Sequence, residues 1–491
     1  MTAAPRRQSL VSRALLAVAL MVGFYALALA VAATLVALPF VEYHFFHRVE
    51  SSLLFACLGA AATVILALVP RPDAFTAPGP VLDRRSDPAL FTMVDEIATA
   101  TRQPVPSRVF LLNDVNAWVS YRGGVMGVGS ERVMGVGWPL LQMLSPIELK
   151  AVIAHEFGHY MSGDVSLGPW IYKTRATITR AIASARQSWL RALFSWYGRL
   201  FLRLTQSVSR QQEFVADEIA ATTVGAEPLM RALRRVSVLA PAYSVYMEND
   251  VMPVLRAGHL PPLAAGFQAF VGAKGAAEWM HQIAVIEEQR SETDEYDSHP
   301  SLKDRLQALA ALTSTPHEPP VDCQSLLLHG DDRATSALGF AFGADTLQTL
   351  QPITWQAVGL TIYAPSLRAM VRQYRGWYGT LTPADLDGDR RRYEALGSRL
   401  MVNATHEKLH AEAVHVATQL LTAAIAVALI DRGWTISAEP GRSFALTLNG
   451  EVFEPLPALR ALVGGETSVE EWQSKCRALG ILNCRLSGGS A

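Results

Sequence analysis

The spacing of apolar and polar positions changes character along this chain, and each change predicts a different element. From Ala14 to Val41 no charged residue interrupts the apolar run, which is long enough to cross a bilayer as a tilted helix. A second uncharged stretch, Ser51 to Pro70, follows a short linker carrying Glu42, Arg48 and Glu50. Two spans, 14–41 and 51–70, joined by a tight linker predict a transmembrane hairpin. A cleaved signal peptide would have a much shorter apolar core. Between Arg108 and Gly137 the pattern becomes short β-like runs, Val109–Leu112, Ala117–Tyr121, Val125–Val128 and Val133–Val136, with Gly123-Gly124 as a two-residue turn.

A helical period begins at Ser145. Ser145-Pro146-Ile147-Glu148 supplies an N-cap hydroxyl, a proline at the first helical position and a glutamate three residues past the cap. Leu149, Ile153 and Phe157 then recur every four residues as a core stripe, which puts His155 and His159 together on another face. Past Thr315–Pro320, a proline-rich boundary, the chain reads as mixed helix with a late β-hairpin turning at Asn449-Gly450. The uncharged stretch Ala413–Ile430 is short and holds His415, Gln419 and Thr422, so it predicts a buried helix.

Composition sharpens this picture. Half of the 491 residues are hydrophobic and only 18% charged, which suits a membrane-attached protein and excludes a disordered one. The net charge of −1 exerts no bulk pull on nucleic acid, and no nucleic-acid partner is expected. The four cysteines form no CxxC pair, so neither a disulfide framework nor a cysteine zinc site is suggested. Arg6, Arg7 and Arg13 precede the first span and Arg71, Arg84 and Arg85 follow the second, against Arg48 alone between them. Both ends of the hairpin should therefore face the cytoplasm, and with them everything after residue 71.

The chemistry lies in His155-Glu156-Phe157-Gly158-His159, an HExxH pattern. Imidazoles one helical turn apart can bind one Zn²⁺ and leave positions for a third ligand and a water, with Glu156 as general base. A metzincin would continue with glycine and histidine where this chain has Ser162 and Val165, so a later carboxylate is expected as third ligand. Glu213 would bind zinc, and Asp217, one turn on, would accept the free ring N–H of His155.

These stretches resemble the HtpX-like and CaaX-prenyl-protease-type membrane zinc metalloendopeptidases. The matching residues are Asn116-Ala117-Trp118, HEFGH at 155–159 with Asp164 beyond, SRQQEFVAD at 209–217, and Ser298-His299-Pro300 followed by Arg305. The resemblance covers about residues 80–312. It implies one Zn²⁺ per chain held by His155, His159 and Glu213, catalysis by Glu156, and supporting positions at Asp217 and Asp164. It also implies that the strand around Asn116, Ala117 and Trp118 is an edge to which an extended substrate adds. His299 and Arg305 are candidate catalytic residues. His299 could hydrogen-bond an oxyanion or merely cap the following helix, and Arg305 could clamp a carbonyl or serve as a salt-bridge partner.

One region departs from that family. Between Val165 and Gln212 there are eight basic residues and no acidic one, interleaved with aromatics, too many charges for buried spans. This insertion suits either a helical pair at an anionic membrane surface or a helical hairpin packed over the active site.

Together these readings predict an α+β chain, mainly α. It would comprise a membrane anchor (1–75), a zincin-like domain with a small antiparallel sheet and the HExxH helix (76–313, with the insertion 165–212), and an accessory α+β domain (321–491). The expected function is zinc-dependent hydrolysis of membrane-proximal or misfolded polypeptides, with the lipid bilayer and polypeptide substrates as partners. A non-proteolytic scaffold or chaperone with a structural zinc is the rival, but it has no need of Glu156. A prenyl-protein protease would need more spans than the two visible here.

Overall fold

The computed structural model describes residues 3–69, 73–124, 129–160, 167–185, 187–290, 300–312, 329–400 and 406–487, and the side chains of most of them. The expected strand at Val125–Val128 lies outside them, as do Asp164 and His299. The fold is mainly helical with small sheets, and contacts divide it into two compact units. One comprises Met1–Pro241 with His281–Ala341, the other Ala242–Met280 with Phe342–Ala491.

In the first unit the apolar runs form helices α1 (Ala3–Phe46) and α2 (Ser51–Leu68), which pack together through Leu35, Cys57, Ala60 and Ala61. Leu15–Phe46 and Ser51–Leu68 are both long and apolar enough to cross a membrane. A four-stranded sheet follows, from β1 (Val81–Leu82), β2 (Arg108–Leu112), β3 (Ala117–Arg122) and β4 (Glu131–Gly137), in the order β1-β2-β4-β3. The expected antiparallel sheet is in fact mixed, because β2 and β4 run parallel. The connection between these parallel strands includes β3, which goes to the edge of the sheet, while the helix α3 (Pro88–Ala100), between β1 and β2, buries Leu90, Phe91, Val94 and Ile97. The second strand expected of the Gly123-Gly124 turn lies outside the described residues. In the described residues β3 pairs antiparallel with β4, from Arg122↔Glu131 to Ala117↔Val136.

After the short α4 (Trp138–Met143), α5 (Pro146–Gly158) starts on the expected capping box, with the Ser145 N–H donating to Glu148 Oε2 at 2.9 Å. Leu149, Ile153 and Phe157 are wholly buried, as their spacing requires. The basic insertion is not a module separate from the third ligand. It is α6 (Leu167–Ser184) and the first two-thirds of α7 (Ser188–Thr223), one continuous helix that carries Glu213 and Asp217 near its end. Next in the chain, α8 (Ala226–Tyr246) brings Arg231 and Arg235 to the buried Glu148 carboxylate, at 3.4 and 3.0 Å.

In the second unit the helix His406–Ile430 supplies much of the core, with Ala417, Leu421, Ile425 and Leu429 buried among Tyr378, Tyr393, Trp434 and Trp472. It too is long and apolar enough to span a bilayer, yet two-thirds of its apolar window is covered by protein, in keeping with a buried helix. The late hairpin pairs Ala445–Leu448 with Glu451–Phe453, and Asn449 and Gly450 both have positive φ, as a type I′ turn demands. The Ala242–Met280 segment belongs to this unit, and a cluster of Tyr246, Phe267, Phe270 and Trp355 joins it to the C-terminal part.

Candidate metal centre

Two helices bring the site together. On α5, His155 and His159 lie one turn apart with ring centroids 4.8 Å apart. Across from them α7 presents Glu213, whose Oε2 lies 3.4 Å from His155 Nε2 and whose Oε1 lies 3.7 Å from His159 Nε2. One donor atom from each residue falls within 4.8 Å of the others. Ligands arranged tetrahedrally around zinc at about 2.1 Å are about 3.4 Å apart, so this set of two imidazoles and one carboxylate fits such an ion and leaves a further position open.

The close approach of the helices depends on Gly158, the second variable residue of the HExxH pattern. A Cβ there would lie 2.8 Å from the Ala216 Cα and 2.9 Å from the Ala216 carbonyl oxygen. Because Glu213 and Ala216 are neighbours on α7, the missing side chain on α5 sets how near the glutamate comes to the histidines.

The ligands are held from behind. Asp217, 2% exposed, places Oδ1 2.9 Å from His155 Nδ1. That bond puts the ring proton on Nδ1 and leaves the Nε2 lone pair facing the donor cluster. Arg305, on the helix Leu302–Ala310, donates to the same carboxylate twice, from Nε at 2.8 Å and from Nη2 at 2.6 Å. Its Nη1 lies 3.6 Å from Glu213 Oε2. The guanidinium of Arg305 thus forms a salt bridge with Asp217. Ser301 caps this helix, accepting from the Asp304 N–H at 3.1 Å.

Electrostatics follow from burial and pairing. Burial disfavours the charged form of His155, but hydrogen bonds to Asp217 and Glu213 outweigh it and push the imidazole up to about 9 without a metal. Burial also opposes the Asp217 carboxylate, and its bonds to Arg305 and His155 still hold it below the ordinary value. Glu156 is half-buried, and its charge is felt at His155, Tyr160 and Arg305.

The segment Asn116-Ala117-Trp118 enters β3, which is an edge of the sheet. The Gly137 N–H donates to the Asn116 carbonyl at 2.8 Å, making that pair hydrogen-bonded. By antiparallel alternation, Ala117, Val119 and Tyr121 therefore turn their N–H and C=O groups away from β4, toward the open edge. Trp118 lies across from Gly135, where a Cβ would fall 2.5 Å from the indole.

Sequence reasoning missed Tyr160, next to the second histidine. Its hydroxyl donates to the outward-facing Val119 carbonyl at 2.9 Å, tying the end of α5 to the edge strand. Arg132 supports it from β4, with its guanidinium 4.5 Å from the Phe157 ring centroid and 5.3 Å from that of Tyr160. Gln103 completes the group, accepting from Arg132 and donating to the Phe157 carbonyl at 2.7 Å. The one available signal was an arginine in an otherwise apolar strand, which needs buried partners.

Residues 84–313 match the model of peptidase family M48. That match spans just under half of the chain, which is similar to this family there. Protease HtpX of Idiomarina loihiensis is 25% identical over 244 residues, covering 46% of this chain and 72% of that protein. The HtpX proteases of Stutzerimonas stutzeri and Pseudomonas putida are 25% and 26% identical over 218 residues, each match covering 40% of this chain and 65% and 64% of the relative. No solved structure matches the chain. The match supports a peptidase, and the His-His-Glu cluster is a possible metal site of the kind a metallopeptidase needs.

Proposed function

We propose that this chain is a membrane-anchored, zinc-dependent endopeptidase acting on membrane-proximal or misfolded polypeptides, with its catalytic unit on the cytoplasmic side. The observation that carries the reading is the convergence of His155, His159 and Glu213 directly beside Glu156, within a segment similar to a peptidase family. Those three residues would hold the zinc, which when bound supplies a Lewis acid that polarises the scissile carbonyl and acidifies a water. Glu156 takes the proton of the attacking water and passes it to the leaving amine. Asp217 and Arg305 keep the His155 ring aimed. The open edge of β3 receives the substrate as an added strand, using the main-chain groups of Ala117 and Val119. A purely structural zinc normally has four protein ligands, and among the described residues this cluster has three, which favours hydrolysis over a scaffold role.

The test compares purified wild type with Glu156→Gln for zinc content and for cleavage of an unfolded protein. Equal zinc with activity lost in the variant is expected. Equal activity in both, or no bound zinc in the wild type, would overturn the reading.

A further inference from the structure

Helices α6 and α7 pack against the transmembrane hairpin, and the level at which they do so can be worked out from lengths alone. The uncharged run of α1 from Leu15 to Val41 has 27 residues and α2 has 18, or about 40 and 27 Å of helix. A hydrocarbon core of about 30 Å takes all of α2 but only about twenty residues of α1. The two are antiparallel across a short linker, so the surplus of α1 is its N-terminal part, beyond the end of α2. Helices α6 and α7 cover that surplus and the adjoining turns of the span, as far as Ala32. Ala17, Met21, Phe24 and Ala28 are buried with Ile178, Phe194, Tyr197 and Phe201, and α2 joins the cluster through Val64 and Ala67 near its end. The Tyr197 hydroxyl donates to the Leu20 carbonyl at 2.6 Å.

On the other side of α7, Trp189, Trp196, Arg199 and Arg203 are exposed, the two tryptophans by 53% and 55%. At 100° per residue these four fall within an arc of about 80°, roughly opposite Phe194 and Phe201. They are also ordered along the helix: the tryptophans lie nearer the tip of the hairpin, and the arginines follow about 5 to 10 Å beyond Trp196, toward Glu213. Arg191 interrupts this order, but its guanidinium donates to the Ala185 carbonyl at 3.0 Å, at the end of α6. An aromatic band followed by a basic band, continuous with two membrane-spanning helices and free of acidic residues, matches the interface of an anionic leaflet.

We infer that this face of α7 binds the anionic phospholipid headgroups of the bilayer, the tryptophans at the carbonyl level and Arg199 and Arg203 on the phosphates. The hairpin α6–α7 lies at the interface and does not cross the membrane. The zinc ligand Glu213 is then carried about 15 to 20 Å beyond the arginines on the same helix. The inference is independent of whether the site hydrolyses peptides.

The chain has no tryptophan before Trp118, so the spanning hairpin itself is silent in tryptophan fluorescence. The experiment reconstitutes the full chain in nanodiscs made with brominated phosphatidylglycerol or brominated phosphatidylcholine, with the bromines at shallow or deep acyl positions. Shallow bromines should quench more than deep ones, and phosphatidylglycerol more than phosphatidylcholine. The W189F/W196F variant should lose that quenching. R199Q/R203Q should keep the shallow quenching but lose the lipid preference, each charge accounting for about a fivefold enrichment. All four side chains are exposed, so neither variant removes core packing. Stronger quenching from deep bromines would mean that the hairpin crosses the membrane, and absence of quenching that it faces water. Equal quenching by the two lipids would remove the headgroup claim. Each result overturns the inference.

Discussion

Replacing Asp217 by asparagine is the sharpest probe of how the metal centre is built. The variant keeps the shape of the side chain but removes a charge that two buried groups share, His155 Nδ1 at 2.9 Å and the Arg305 guanidinium at 2.6 and 2.8 Å. Two consequences follow. Arg305, 11% exposed, is left with a buried charge whose nearest remaining carboxylate is Glu213, 3.6 Å away. Breaking a buried ion pair on one side costs about 3–5 kcal/mol, so the metal-free protein should melt well below wild type. The His155 ring loses the acceptor that fixes its tautomer, and loss of such a partner typically weakens metal binding by about 10- to 100-fold, or about 1.4–2.7 kcal/mol. Arg305 adds to this by competing for Glu213. The assay is zinc titration against a competing chelator, alongside melting in detergent with and without zinc. The double variant Asp217→Asn/Arg305→Met removes the stranded charge, so it should recover much of the melting temperature but little of the zinc affinity. Wild-type zinc affinity in Asp217→Asn would refute the orienting role, and full recovery of affinity in the double variant would assign the whole effect to Arg305.

Three further outcomes are expected. Gly158→Ala should push α7 away from α5, costing about 1–3 kcal/mol of stability and lowering zinc affinity, since the new Cβ meets backbone at Ala216; melting and chelator titration read both. Tyr160→Phe frees the Val119 carbonyl for a substrate N–H and should lower KM for an extended peptide while leaving zinc content unchanged. An unchanged KM would mean that the carbonyl takes no part in substrate binding. Glu148 is buried, which works against its charge, yet bonds to Ser145 and Arg235 hold it below the ordinary value of 4.5. Its contribution to stability is therefore present above that value and lost as the pH falls below it, and Glu148→Gln should flatten the acid limb of a melting-temperature profile.

What could be read from the sequence was what is local in it. The capping box at Ser145, the core stripe on α5, the pairing of His155 with His159 and the I′ turn at Asn449-Gly450 each depend on residues within one or two turns of one another. Glu213 and Asp217 were legible for the same reason once a carboxylate was sought. The parallel pairing of β2 with β4 was not, because β3 lies between them in sequence but beyond β4 in the sheet, and that order leaves no mark on either strand. Nor was the part of Arg305, which meets Asp217 across 88 positions of sequence. Gly158 reads as an unconstrained letter of a motif until the neighbouring helix is in place.

The basic insertion shows how a real pattern can be hidden by reading a helix as one face. Its charges do not line up on any single stripe of the sequence. On α7, Phe194 is buried against α1, whereas Glu213, nineteen residues further on, faces α5; at 100° per residue those directions differ by about 100°. The helix leaves one partner before it reaches the other, so its buried stripe turns along its length and its exposed stripe turns with it. Within the segment that meets the membrane hairpin alone, Trp189, Trp196, Arg199 and Arg203 do share a face. Periodicity measured over the whole insertion averages two environments and finds neither. Divided where α7 changes partners, the same residues give a lipid-facing stripe at one end and a metal ligand at the other.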